Sequence, residues 1–99
     1  GFRNADGGGV MHFPGFALAA ARFLAEARGA KALAVDTLSL DPGASVDLPV
    51  HGFWLPSGRY GLECVAGLDR VPARGATLVV GAPKIVGATG GPCRLLALL

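Results

Sequence analysis

The stretch of residues 50–63 constrains this chain more than any other, because it places a histidine and a glutamate on either side of a turn. His51 precedes Pro56-Ser57-Gly58, and Glu63 follows His51 by twelve positions. Residues 59–65 alternate as in a β-strand, where glutamate is depleted and seldom buried without a partner. Imidazole nitrogen and carboxylate oxygen are donors that zinc or manganese accepts, so the spacing suggests a metal pair. The alternative is a hydrated loop histidine and a glutamate at a solvent-facing strand end.

The balance of apolar and charged residues points to a surface that another chain covers. The 99 residues allow one small domain with a modest core. Hydrophobic residues make up 52% and charged residues only 16%, so we expect self-association or burial against a missing segment. A net charge of +2 on scattered basic residues argues against nucleic acid as a partner. No apolar run reaches the ~18 residues of a membrane span, so no membrane partner is expected.

Cysteine usage favours a reducing compartment. Cys64 and Cys93 are the only cysteines and lack a CxxC spacing, so we expect free thiols. We find no signal peptide and expect a cytoplasmic protein. Because the chain begins with Gly1 and not Met, we expect an excised portion of a longer protein.

Hydrophobic periodicity predicts an α/β (α+β) chain with one main helix and a mixed sheet. Residues 1–12 lack periodicity and are expected to form a loop or mobile arm, with a single partial domain over 13–99. A 3.6-residue period predicts a helix over 16–28. Strands are predicted near 31–36, 59–65, 77–82 and 94–99. The predicted buried helix face consists of Phe16, Ala20, Phe23, Leu24 and Ala27.

Two further segments carry polar groups. Asp36 and Asp41 could act as paired carboxylates in acid–base chemistry, although Thr37, Ser39 and Asp41 organising a turn is the favoured interpretation. Residues 87–92 are glycine-rich but precede a strand and lack the GxxxxGK[ST] pattern, so no phosphate site is predicted.

Seven segments taken together resemble the metal-dependent cyclase family, which includes bacterial kynurenine formamidase and isatin hydrolase. They are residues 13–15, 35–43, 51, 58–63, 68–72, 75–80 and 90–94. The resemblance implies a swivelling β/β/α fold and a site with one or two divalent metals, commonly zinc or manganese. It also implies hydrolysis of small aromatic or cyclic amides, with His51 and Glu63 at metal-ligand positions.

Departures from the family pattern limit what this chain can do by itself. The HxGTHxDxPxH signature, which supplies most metal ligands and the catalytic histidine, is missing, so the chain resembles the C-terminal half and no catalytic residue is assigned. Phe53, Trp54 and Tyr60 could wall an aromatic substrate pocket, the alternative being that they are core residues. Cys64 stands where formamidases usually carry Asn, and Phe53, Trp54 and Cys64 are the candidate substrate-binding residues. We expect a metal-dependent hydrolase that binds its metal weakly and is inactive alone. The alternative is a non-catalytic module that self-associates or binds a small molecule.

Overall fold

The computed structural model describes residues 3–99, which divide between Ala66 and Gly67 into two compact units. The single partial domain expected over residues 13–99 stays a prediction. The first unit contains α1 (Leu18–Glu26), β1 (Ala32–Ala34), α2 (Pro49–Trp54), a 3-10 turn (Leu55–Ser57) and β2 (Tyr60–Leu62). The second contains a 3-10 turn (Leu68–Arg70), β3 (Thr77–Gly81) and β4 (Arg94–Leu98). The expected mixed α/β class is confirmed, and α2 is a helix that the sequence pattern did not predict.

Helix α1 is shorter than predicted and buries a different face. It lacks a side-chain N-cap, and Gly29 follows its end with a left-handed φ of 61°. Ala21 and Ala25 are buried, whereas Phe23 is 52% exposed. The predicted face was therefore wrong at Phe23, and also at Ala20 and Ala27, which are exposed. Ala21 and Ala25 pack in one cluster with Val50 and Trp54 of α2, because their small side chains leave room for the larger side chains of that helix.

The four predicted strands are present, but they form two sheets instead of one mixed sheet. Strands β1 and β2 pair in parallel, with Ala32 opposite Tyr60 and Ala34 opposite Leu62. Strands β3 and β4 form an antiparallel pair in the second unit, from Thr77–Leu98 to Gly81–Arg94. Strand β2 ends at Leu62, earlier than predicted, and Cys64 beyond it has a left-handed φ of 57°. Side-chain alternation therefore does not continue to the end of the predicted strand.

Residues 3–12 form a turn within the segment 1–12 that we expected to be a loop or mobile arm, and residues 1 and 2 lie outside the described residues. Ala5 and Met11 form an antiparallel bridge. The Asp6 carboxylate accepts the Gly8 and Val10 amides at 2.9 and 3.0 Å. Its other oxygen lies 2.9 Å from His12 Nε2, and these bonds, His12 first, lower the pKa of Asp6. No helix in residues 3–99 has the length and hydropathy needed to cross a membrane.

Candidate functional site

Helix α2 presents His51 because a carboxylate from a distant loop caps its first turn. Pro49 occupies the first turn of the helix, where its missing N–H has no cost. The preceding residue, Leu48, supplies no side-chain cap. Instead, Asp41 Oδ1 accepts the Val50 amide at 2.8 Å and Asp41 Oδ2 accepts the His51 amide at 3.0 Å. The negative charge also lies at the positive end of the helix.

The same carboxylate binds the imidazole ring. Asp41 Oδ2 lies 2.7 Å from His51 Nδ1, and the Asp41 side chain is fully buried. Burial alone would raise the pKa of Asp41, but hydrogen bonds from the His51 side chain, the His51 amide and the Val50 amide outweigh it. They leave the pKa of this carboxyl below its ordinary value of 3.8. An ionised carboxylate can only accept, so His51 Nδ1 carries a proton in this bond.

Glu63 meets the opposite side of the ring. It follows β2 directly, and its Oε1 lies 3.0 Å from His51 Nε2 while accepting the Leu40 amide at 3.1 Å. The His51 and Glu63 side chains are 26% and 36% exposed. Three side chains therefore form a line from the core to the surface, which we call the Asp41–His51–Glu63 array.

The outer half of the array matches part of a metal site. In a neutral ring whose proton faces Asp41 at Nδ1, Nε2 has the lone pair available to a ligand, and Glu63 places a carboxylate oxygen 3.0 Å from that nitrogen. A ligating histidine whose other nitrogen donates to a carboxylate is the usual arrangement around a protein-bound metal. Within residues 3–99, however, no three His, Cys, Asp or Glu side chains are grouped to hold an ion. His51 Nε2 and Glu63 Oε1 therefore fit two positions of a metal coordination shell that needs further ligands.

The three predicted substrate-binding residues lie in different environments. Trp54 is fully buried in the core, and its Nε1 donates to the Tyr60 carbonyl at 2.8 Å. Phe53 is half-buried, with the Arg22 guanidinium 4.6 Å from its ring centroid. Cys64, next to Glu63, is exposed, and both cysteines of the chain are free thiols. Trp54 thus supports α2 from the core side, and Phe53 and Cys64 offer the accessible surface.

Asp41 is the site residue whose role the sequence did not reveal. Asp36 is exposed while Asp41 is buried, so the hypothesis of a carboxylate pair receives no support. The turn interpretation holds for Thr37 and Ser39, because Thr37 Oγ1 donates to the Ser39 carbonyl and Ser39 Oγ accepts the Asp41 amide. The Asp41 carboxylate itself reaches α2, ten residues from His51 in sequence. An aspartate before Pro-Gly resembles a turn residue, so local pattern hid this contact.

Comparison with known proteins agrees with the family resemblance. No family model matches the sequence. The chain is 39% identical over 57 residues to an isatin hydrolase of Roseibium aggregatum, an alignment that covers 58% of this chain and 22% of that protein. Isatin hydrolase A from Labrenzia aggregata, solved with bound benzyl benzoate, superposes with a TM-score of 0.90 at 37% identity over 97% of this chain. The Ralstonia solanacearum isatin hydrolase A gives a TM-score of 0.89 at 35% identity.

These findings show that the chain is homologous by both sequence and structure to isatin hydrolase, a protein of the cyclase-like family. The chain spans 39% and 38% of the length of the two solved relatives. This coverage is consistent with the expected correspondence to the C-terminal half of such an enzyme.

Proposed function

We propose that this chain carries part of the active site of a metal-dependent hydrolase of small amides, with His51 and Glu63 as two ligands of zinc or manganese. The observation that supports it best is the pair of donors, His51 Nε2 and Glu63 Oε1, 3.0 Å apart at a partly exposed position. The buried Asp41 carboxylate on Nδ1 supplies the outer support that metal-binding histidines use. The homology to isatin hydrolase supports the reaction class.

The proposed substrates are small aromatic or cyclic amides. The relatives are named for the hydrolysis of isatin, which is an aromatic cyclic amide. A divalent metal bound in such a site polarises the carbonyl and lowers the pKa of a water molecule. The residues of this chain have simpler tasks: His51 offers the Nε2 lone pair, Asp41 retains the Nδ1 proton, and Glu63 contributes negative charge.

Hydrolysis by these 99 residues alone is not expected. A catalytic zinc normally has three protein ligands and one open position, and the array offers two. Two ligands hold an ion loosely, so it neither orients water nor lowers its pKa reliably. Activity then requires the segment that carries the remaining ligands. The alternative function, a non-catalytic module that self-associates or binds a small molecule, would need no metal at all.

Calorimetric titration of zinc and manganese tests the proposal. Wild type is expected to bind weakly, and His51→Ala and Glu63→Ala are each expected to abolish the heat of binding. The chain offers matched controls: His12→Ala removes an exposed histidine, and Glu26→Ala removes an exposed glutamate of α1.

Both controls should bind as wild type does. An N-formyl aromatic amide and an aromatic lactam are then assayed with each protein, and no turnover is expected. Metal binding that survives both site substitutions would refute the ligand assignment, whereas no metal binding by wild type would favour the non-catalytic module. Robust turnover by the chain alone would refute the need for further ligands.

A further inference from the structure

We infer that Asp41 is a positioning residue that holds the His51 proton at Nδ1 and so leaves Nε2 free for a ligand beside Glu63. The close approach of Gly15 fixes the backbone at Asp41. The position of the proton follows from the geometry of the chain itself. Only the use of Nε2 as a metal ligand rests on the proposed function.

The surroundings of Asp41 leave its carboxylate little freedom to reorient. The side chain is fully buried and accepts three N–H groups: the Val50 amide, the His51 amide and the His51 ring. Rotation of the carboxylate would leave the Val50 and His51 amides at the start of α2 without hydrogen-bond partners, which is unfavourable for groups shielded from water. The same bonds that start the helix therefore hold Oδ2 against the imidazole.

The backbone that carries Asp41 is held as firmly as its side chain. A Cβ atom at Gly15 would lie 2.4 Å from the Asp41 carbonyl carbon and 2.5 Å from the Pro42 nitrogen. The neighbouring Phe16 amide donates to the Leu40 carbonyl at 2.8 Å, so residues 15 and 16 lie against the 40–42 backbone. Only glycine fits at this contact, which we call the Gly15 seat.

The two carboxylates compete unequally for the imidazole proton. Asp41 is fully buried and lies 2.7 Å from Nδ1, whereas Glu63 is 36% exposed and lies 3.0 Å from Nε2. Glu63 Oε1 also accepts the Leu40 amide, and solvent weakens its attraction for a proton. When His51 carries a single proton, that proton therefore stays at Nδ1. A metal ion approaching Nε2 then meets a lone pair without any change of tautomer.

The second histidine supplies an internal reference. His12 contacts Asp6 through Nε2 at 2.9 Å, so its neutral ring should hold the proton at Nε2. The chain thus carries two histidines beside two aspartates with opposite nitrogens engaged. Nitrogen-15 NMR of imidazole rings distinguishes protonated from unprotonated ring nitrogens, and therefore reads the two tautomers in one spectrum.

The experiment records long-range proton–nitrogen spectra of the labelled 99-residue chain in mildly alkaline, metal-free solution, with His12→Ala used to assign the resonances. We expect the His51 signals of an Nδ1–H ring and the His12 signals of an Nε2–H ring. Asp41→Ala should remove the Nδ1–H preference of His51 and leave His12 unchanged. Asp6→Ala should do the reverse. The wild-type spectrum decides the inference even if Asp41→Ala fails to fold.

Zinc added to the same sample separates this inference from the proposed function. A shift of His51 Nε2 with Nδ1–H retained would support both. Nδ1–H in the free protein with no response to zinc would support the positioning role of Asp41 and refute metal binding. A neutral His51 that carries its proton at Nε2 in wild type would overturn the positioning role, whatever zinc does.

Discussion

Gly15→Ala is the substitution that most directly tests how the site is held. The added Cβ would lie 2.4 Å from the Asp41 carbonyl carbon, against about 3.4 Å for an ordinary contact, so backbone must move by roughly 1 Å. Overpacking of this kind costs about 1–3 kcal/mol, and a weakened Phe16–Leu40 backbone bond adds about 1 kcal/mol. We expect a loss of roughly 2–4 kcal/mol in the free energy of unfolding. For a chain of this size that lowers Tm by about 8–30 °C.

Urea unfolding followed by tryptophan fluorescence measures this loss, because Trp54 is the single tryptophan and is fully buried. Gly52→Ala is the matched control. Gly52 lies within α2, and a Cβ there meets nothing within 4 Å. Alanine should stabilise that helix position by about 0.5–1 kcal/mol. Equal midpoints for Gly15→Ala and wild type would refute the Gly15 seat.

Three further results are expected. The folded pKa of Asp41 is lowered, so its contribution to stability is present above its unfolded pKa of 3.8 and is lost as the pH falls through the folded value. Acid titration of the unfolding midpoint should therefore be less steep for Asp41→Asn than for wild type, and equal slopes would contradict the bond to His51. Arg59 donates to the Ala30 and Ala25 carbonyls at 2.9 and 3.2 Å. Arg59→Lys should therefore lower the free energy of unfolding by about 1–2 kcal/mol in the same urea assay. An unchanged midpoint would argue against both bonds. Finally, we expect a dimer or larger assembly in sedimentation velocity at micromolar concentration, since Val79 and Leu96 pair on one face of the β3–β4 hairpin and are 43% and 47% exposed. Leu96→Lys should shift the distribution toward monomer, and a monomeric wild type would count against self-association.

The local arrangement of apolar residues predicted the position of the main helix and of the strands. The 3.6-residue period located α1 to within two residues at each end, and short runs of consecutive apolar residues located β3 and β4. The interval between His51 and Glu63 suggested a pair, and the family resemblance strengthened it; their side chains meet at 3.0 Å. These features depend on neighbours in sequence, which is why they could be read before any tertiary contact was known.

Tertiary structure decided what local pattern could not encode. Helix α2 is six residues long with Pro and Gly among them, and it is capped by Asp41 from outside its own sequence. The face that α1 buries was decided by its fit to Val50 and Trp54, which favoured alanines over the larger Phe23. The Asp41–His51 bond, and with it the tautomer of the ring, depends on how the 40–42 backbone sits against Gly15. Such contacts arise only when distant segments pack, because burial and hydrogen-bond geometry are properties of the folded chain and not of any short run of residues.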